Sequence, residues 1–136
     1  MTTFDFGNGP VPAHQHSNGG GWVADTAHVD ETAYVGPSAQ VFGDAQVFDN
    51  AHVDGTAKVY GNAKVFHNAG VFGDAEVYGD AWVFDDAWVF DDACVSGNAE
   101  VYGDAEVFGK ARVSGNAQVS GNVSGNAWVS GESILD

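Results

Sequence analysis

From Val23 onward the apolar positions recur with a period of six. Val stands at 23, 29, 35, 41, 47 and on through 119, and Ala occupies the position two residues before it in nearly every copy. Representative copies read Val41-Phe-Gly-Asp-Ala-Gln, Val59-Tyr-Gly-Asn-Ala-Lys and Val77-Tyr-Gly-Asp-Ala-Trp. Side chains alternate across a strand, so in each Ala-x-Val-aromatic segment Ala and Val share one face and x and the aromatic the other. Val and Ala are the inward pair, and they build a thin core of small residues. The intervening Gly-Asp and Gly-Asn pairs are corners, because Gly, Asn and Asp accept the left-handed backbone of a sharp turn. A helix is excluded, since a Gly every six residues would place a breaker in each turn or two. So short a period predicts a solenoid, whose repeats bury an apolar face only against their neighbours.

These residues resemble the hexapeptide-repeat proteins, whose pattern is an aliphatic residue with a small residue four positions later. The resemblance covers about four-fifths of the chain. It implies an all-β, single-domain, left-handed parallel β-helix with three faces, about 18 residues per coil and five to six coils, with a lean toward trimers. The openings Asn8-Gly-Pro-Val-Pro and Asn18-Gly-Gly-Gly-Trp-Val also look like those of transferase-like repeat proteins of bacteria and their phages. With three hexads per coil, Val23, Val41 and Val59 begin one column, Val29, Val47 and Val65 a second, and Val35, Val53 and Val71 a third. At the usual strand spacing the rod is about 27 Å long. Residues 1–22, rich in Gly and holding all three Pro, are expected to cover one end; residues 23–122 form the repeat body. The register slips at Val119-Ser-Gly-Asn-Val123, where two residues are missing, and 123–136 is expected to be an irregular repeat and cap after regular coiling ends.

Outward positions carry the candidate contact surface. Phe42, Tyr60 and Tyr78 follow Val on the first face, Phe48, Phe66, Phe84 and Tyr102 on the second, and Phe72, Phe90 and Phe108 on the third. Trp82 and Trp88 point outward beside Phe84 and Phe90. From Val113 on the same position is Ser, at 114, 120, 124 and 130. Aromatics suit strands and stack in ladders without any partner. Against that, several adjacent aromatic rungs exceed the apolar patch a monomer usually exposes. Self-association as a dimer or trimer is the favoured reading, with Phe48, Phe66, Trp82, Phe84, Trp88, Phe90 and Tyr102 as the binding residues.

Charge narrows the partners. Four Lys or Arg against nineteen Asp or Glu leave a formal charge of -15, which repels nucleic-acid phosphates and anionic membranes. Spread over the rod this is roughly one charge per 1.8 Å, near the density of duplex DNA, so an acidic decoy of a nucleic-acid-binding protein is an alternative, with a basic protein as partner. The single Cys94 allows no internal disulfide, and the start lacks a basic, apolar leader, so a cytoplasmic location is expected. Lys58 is expected to stack on Glu76, Lys64 to lie one rung from Trp82, and Lys110 to sit above Asp92.

Chemistry is thin. An acyltransferase is what the resemblance invites, with a His acting as general base near a subunit interface. His67, the only His at a corner, is the candidate. No loop interrupts the hexads, however, and four basic residues make a poor cradle for a phosphorylated acyl carrier, so the expectation is a non-catalytic protein without a cofactor. The corner carboxylates Asp74, Asp86, Asp92 and Asp104 are the candidates for Ca²⁺, against the plainer reading of an acidic, solvated rim. His14-Gln-His16 lacks a nearby third ligand for zinc, and there is no Thr ladder of the kind ice binding would want.

Overall fold

The structure is a computed structural model that describes residues 2–131 and the backbone of the strand Ile134–Leu135. It is an all-β solenoid of about six turns, with about 18 residues per turn, folded as one domain. The register repeats every 18 residues, with Val23 beside Val41 and Val41 beside Val59. Three parallel stacks make the three faces. The first runs through Trp22–Ala24, Gln40–Val41, Lys58–Val59, Glu76–Val77, Cys94–Val95, Arg112–Val113 and Trp128–Val129. The second runs from His28–Val29 through Lys64–Val65 and Trp82–Val83 to Ile134–Leu135. The third runs from Tyr34–Val35 through His52–Val53, Gly70–Val71 and Trp88–Val89 to Glu106–Val107.

The interior is the Val/Ala column set that the periodicity predicts, and from Val35 to Val119 these side chains have essentially no solvent exposure. Strands are shorter than the four-residue Ala-x-Val-aromatic segments, comprising only x and Val. The reason lies in the turns: each Ala N–H folds back to the carbonyl of the residue after the preceding Val, as from Ala51 to Phe48 at 3.2 Å, and so leaves the ladder. Tight corners need φ near +60°. Gly43 and Gly61 supply it at +66° and +68°, whereas Asp49, His67, Asp85 and Asp91 adopt +58° to +61° as non-glycine residues.

The two-residue gap after Val119 shortens one coil without ending the coiling. Val123 bridges Val107, Val129 pairs with Val113, and Leu135 pairs with Val119, each a step of 16 residues. Asn122 repairs the ladder at the gap. Its Oδ1 accepts the N–H of Glu106 at 3.2 Å, the bond that Ala105 O accepts from Trp88 one coil earlier. Of the expected C-terminal cover, Ser133 and Asp136 lie outside the described residues.

At the other end, β1 (Thr3–Asp5) and β2 (Pro10–Gln15) form an antiparallel hairpin, and β2 pairs antiparallel with the free edge of β3 (Trp22–Ala24). Asp5 Oδ1 holds the hairpin turn by accepting the N–H of Gly7 and Gly9 at 2.7 and 3.0 Å. Phe6 then fills the outward rung left by Ala24. It stacks on Phe42 at 4.9 Å, which stacks on Tyr60 at 4.7 Å, which stacks on Tyr78 at 5.0 Å. Buried His16 and exposed Asn18 both reach the Ala33 carbonyl, at 2.8 and 3.1 Å. Among the described residues no helix is long and apolar enough to cross a membrane.

Candidate functional site

The second sheet carries a strip of rings. Phe66 and Phe84 stack at 5.0 Å with planes 2° apart, Phe84 and Tyr102 at 5.5 Å and 14°, and Phe48 meets Phe66 edge-on at 6.5 Å. Strand spacing sets these separations, so one coil's ring covers the next and each is only half-buried. Trp82 stands edge-on to Phe66 and Phe84, at 5.9 and 6.3 Å, and remains 39% exposed. Beneath it Lys64, its register partner, holds Nζ 5.2 Å from the indole centre. Trp88, 47% exposed, lies on the third sheet across the intervening corner. Its ring partner is Phe72, at 5.5 Å and 86°, while Phe90 stacks instead on Phe108 at 5.0 Å. The predicted contact residues therefore divide between two sheets: Phe48, Phe66, Trp82, Phe84 and Tyr102 on one, Trp88 and Phe90 on the other.

Between those sheets runs an acidic corner with a cleft of about 830 Å³ lined by Asp49, Asn50, His67, Asp85, Asp86 and Asp104, among others. A side-chain ladder ties successive turns. Asp30 Oδ2 accepts the N–H of Asp49 at 2.8 Å, Asp49 Oδ2 that of His67 at 3.1 Å, and Asp85 Oδ2 that of Gly103 at 3.1 Å. These bonds explain the non-glycine residues at positive φ. At Asp49, His67, Asp85, Gly103 and Gly109 a side chain one coil earlier accepts the turn N–H. Asp30 is held below the usual carboxylate range, first by the Asp49 N–H and then by His28.

His67 Nδ1 lies 3.1 Å from Asp85 Oδ1 and 3.3 Å from the Asp85 N–H. The two contacts need opposite roles of Nδ1: a protonated nitrogen donates to the carboxylate, and a bare one accepts the amide proton. A His–Asp pair in a cleft is the arrangement a general base uses. The surrounding carboxylates of Asp49, Asp86 and Asp104 nevertheless repel the phosphates of an acyl carrier, and Lys or Arg is missing from the lining.

The remaining candidates are local. Among the described residues no three His, Cys, Asp or Glu groups converge as metal ligands. Asp74 accepts a hydrogen bond from Thr56, and Asp86 accepts one from Asn68 at 3.3 Å. Every ion pair among the described residues is His with Asp, so Lys110 makes none with Asp92, nor Lys58 with its register partner Glu76. Glu76 instead accepts the Tyr60 hydroxyl at 3.0 Å, and burial together with that bond pushes the phenol's pKa well above its ordinary value. His14 bonds Asp25 at 2.8 Å while His16 is buried on Ala33, so the two imidazoles serve separate structural ends. Burial, then Glu76, pushes the Cys94 thiol up.

Compared with known proteins, the chain matches no protein-family model, no curated protein and no solved structure. The class of protein is thus defined by the coils themselves: a three-faced β-solenoid of stacked parallel strands.

Proposed function

We propose that this chain is a non-catalytic interaction solenoid of the left-handed hexapeptide-repeat kind, which self-associates as a dimer or trimer through its second sheet. The supporting observation is the continuous strip Phe48-Phe66-Phe84-Tyr102 with Trp82 exposed beside it. Phe84 is stacked on both faces, between Phe66 and Tyr102, and the outer ring edges of the strip form one apolar band. On this sheet Asp30 precedes the band and Ser120 follows it, so the band is bounded by polar rungs, as in an interface core. A second copy is the occupant that a flat, repetitive band fits, because the same strip is self-complementary across a symmetry axis. Replacing both Trp82 and Phe84 with Ser is expected to leave strand content unchanged, since both side chains point outward, and to lower melting only through the lost ring stacks of Phe84, while sedimentation shifts to the monomer. An unchanged sedimentation coefficient in the double variant contradicts the interface.

A second reading, an acidic decoy that occupies a basic groove, draws on the uncompensated carboxylates of the corner. Among the described residues neither Lys nor Arg forms an ion pair with them. Its mark would be salt-sensitive competition with DNA for a basic protein.

A further inference from the structure

Three tryptophans are conspicuously exposed among the described residues: Trp82, Trp88 and Trp128. Two of them have a cation of this chain on the preceding rung. Lys64 pairs with Trp82 and places Nζ 5.2 Å from its ring centre, and Arg112 pairs with Trp128 and places Cζ 5.8 Å from its ring centre. The register partner of Trp88 on that side is Gly70, the only glycine at an x position in the repeats. Its φ is ordinary, so backbone conformation does not demand glycine there. What the missing side chain does is admit Phe72. A Cβ on Gly70 would stand 2.2 Å from Phe72 Cζ, so the ring has swung over the glycine and meets Trp88 at 86°. The result is a notch of about 290 Å³ walled by Phe72, Trp88 and His52, with Asn50 and Asn68 at its margin.

We propose that this notch binds the cationic side chain, lysine or arginine, of a basic protein segment. Two aromatic rings set at right angles form adjoining walls of the kind that attract an alkylammonium or guanidinium group. The chain supplies that partner to its other exposed tryptophans and withholds it here. Electrostatics agree: Asn50 and Asn68 also border the acidic cleft of Asp49, Asp85, Asp86 and Asp104, and Glu106 occupies the next rung beyond Trp88. An incoming cation would meet a negative field from both sides, and the asparagine side chains can hydrogen-bond its N–H groups. The site is on the third sheet and requires neither self-association nor a DNA-binding partner.

The test follows the indole N–H signals of the full chain by NMR while a short lysine- and arginine-containing peptide is added, with its glutamine-substituted counterpart as control. The Trp88 signal is expected to shift saturably with the basic peptide, to stay put with the control, and to move far more than that of Trp82, whose cation position is filled. Gly70→Lys, which supplies the cation in cis and pushes Phe72 aside, should weaken binding about fivefold or more. Trp88→Ser, followed by fluorescence anisotropy of the labelled peptide because the reporting indole is gone, should weaken binding similarly without changing net charge or the core, so the question stays answerable if the Gly70 variant misfolds. Equal movement of Trp82 and Trp88 would reduce the effect to diffuse attraction by an acidic rod and overturn the proposal. So would unchanged affinity in Trp88→Ser. A Trp88 shift that follows protein concentration without peptide would also overturn it, in favour of a second copy in the notch.

Discussion

His67 shows how much a single position in a repeat can carry. It takes a corner where most coils use Gly or Asp, adopts φ of 59°, and sets Nδ1 against the Asp85 turn. A side chain at this φ costs about 1 kcal/mol, and the hydrogen bond it gains returns about the same. His67→Gly should therefore change stability by less than about 0.5 kcal/mol, as relieved strain offsets the lost bond. His67→Ala keeps the strain and loses the bond, and should destabilise by about 1 kcal/mol. Denaturant melts of the two variants check this, and an Ala variant as stable as the unsubstituted chain would sink the capping account. From the sequence His67 could be placed at a corner, since only its position in the hexad was needed. Its carboxylate neighbours across coils were legible from the 18-residue step. The bonds to turn N–H groups were not, because they depend on which way a short side chain leans at positive φ.

At the scale of the element, period and pairing were readable because Val and Ala leave so little freedom. Strands of two residues have almost no stability alone, and each is fixed by neighbours above and below in a core too thin for larger side chains. Ala87→Val tests that thinness. The added methyl groups enter a fully buried position, and overpacking should cost about 1–3 kcal/mol, read as a lowered melting temperature by circular dichroism. A neutral effect would mean the coil interior has slack. Elements that break the period were harder to foresee. The hairpin of β1 and β2 has its own signal in Asp5-Phe-Gly-Asn-Gly, a turn whose Asp caps two glycine N–H groups, but nothing periodic announces that Phe6 will complete the ladder above Phe42. The gap after Val119 reads as an end of regular coiling, yet the coil continues because the Asn122 side chain takes over a hydrogen bond that a backbone carbonyl makes elsewhere. Gly70 departs from the pattern as a glycine at an x position. The notch it opens depends on Phe72 turning away from the ring ladder, a tertiary choice.

The whole molecule sets aromatic strips and an acidic corner side by side on a rigid rod. With a charge of -15, copies repel at long range, whereas the strip on the second sheet attracts at contact. Association through that strip should therefore be little weakened by salt, and screening of the corners should if anything strengthen it. A decoy bound through its carboxylates would behave oppositely. Solution mass by light scattering, on the unmodified chain over a range of concentrations in low and high salt, separates these behaviours most directly. The account predicts a dimer or trimer that persists in high salt. A mass that stays at the 14.1 kDa of one chain at every concentration and salt would contradict it.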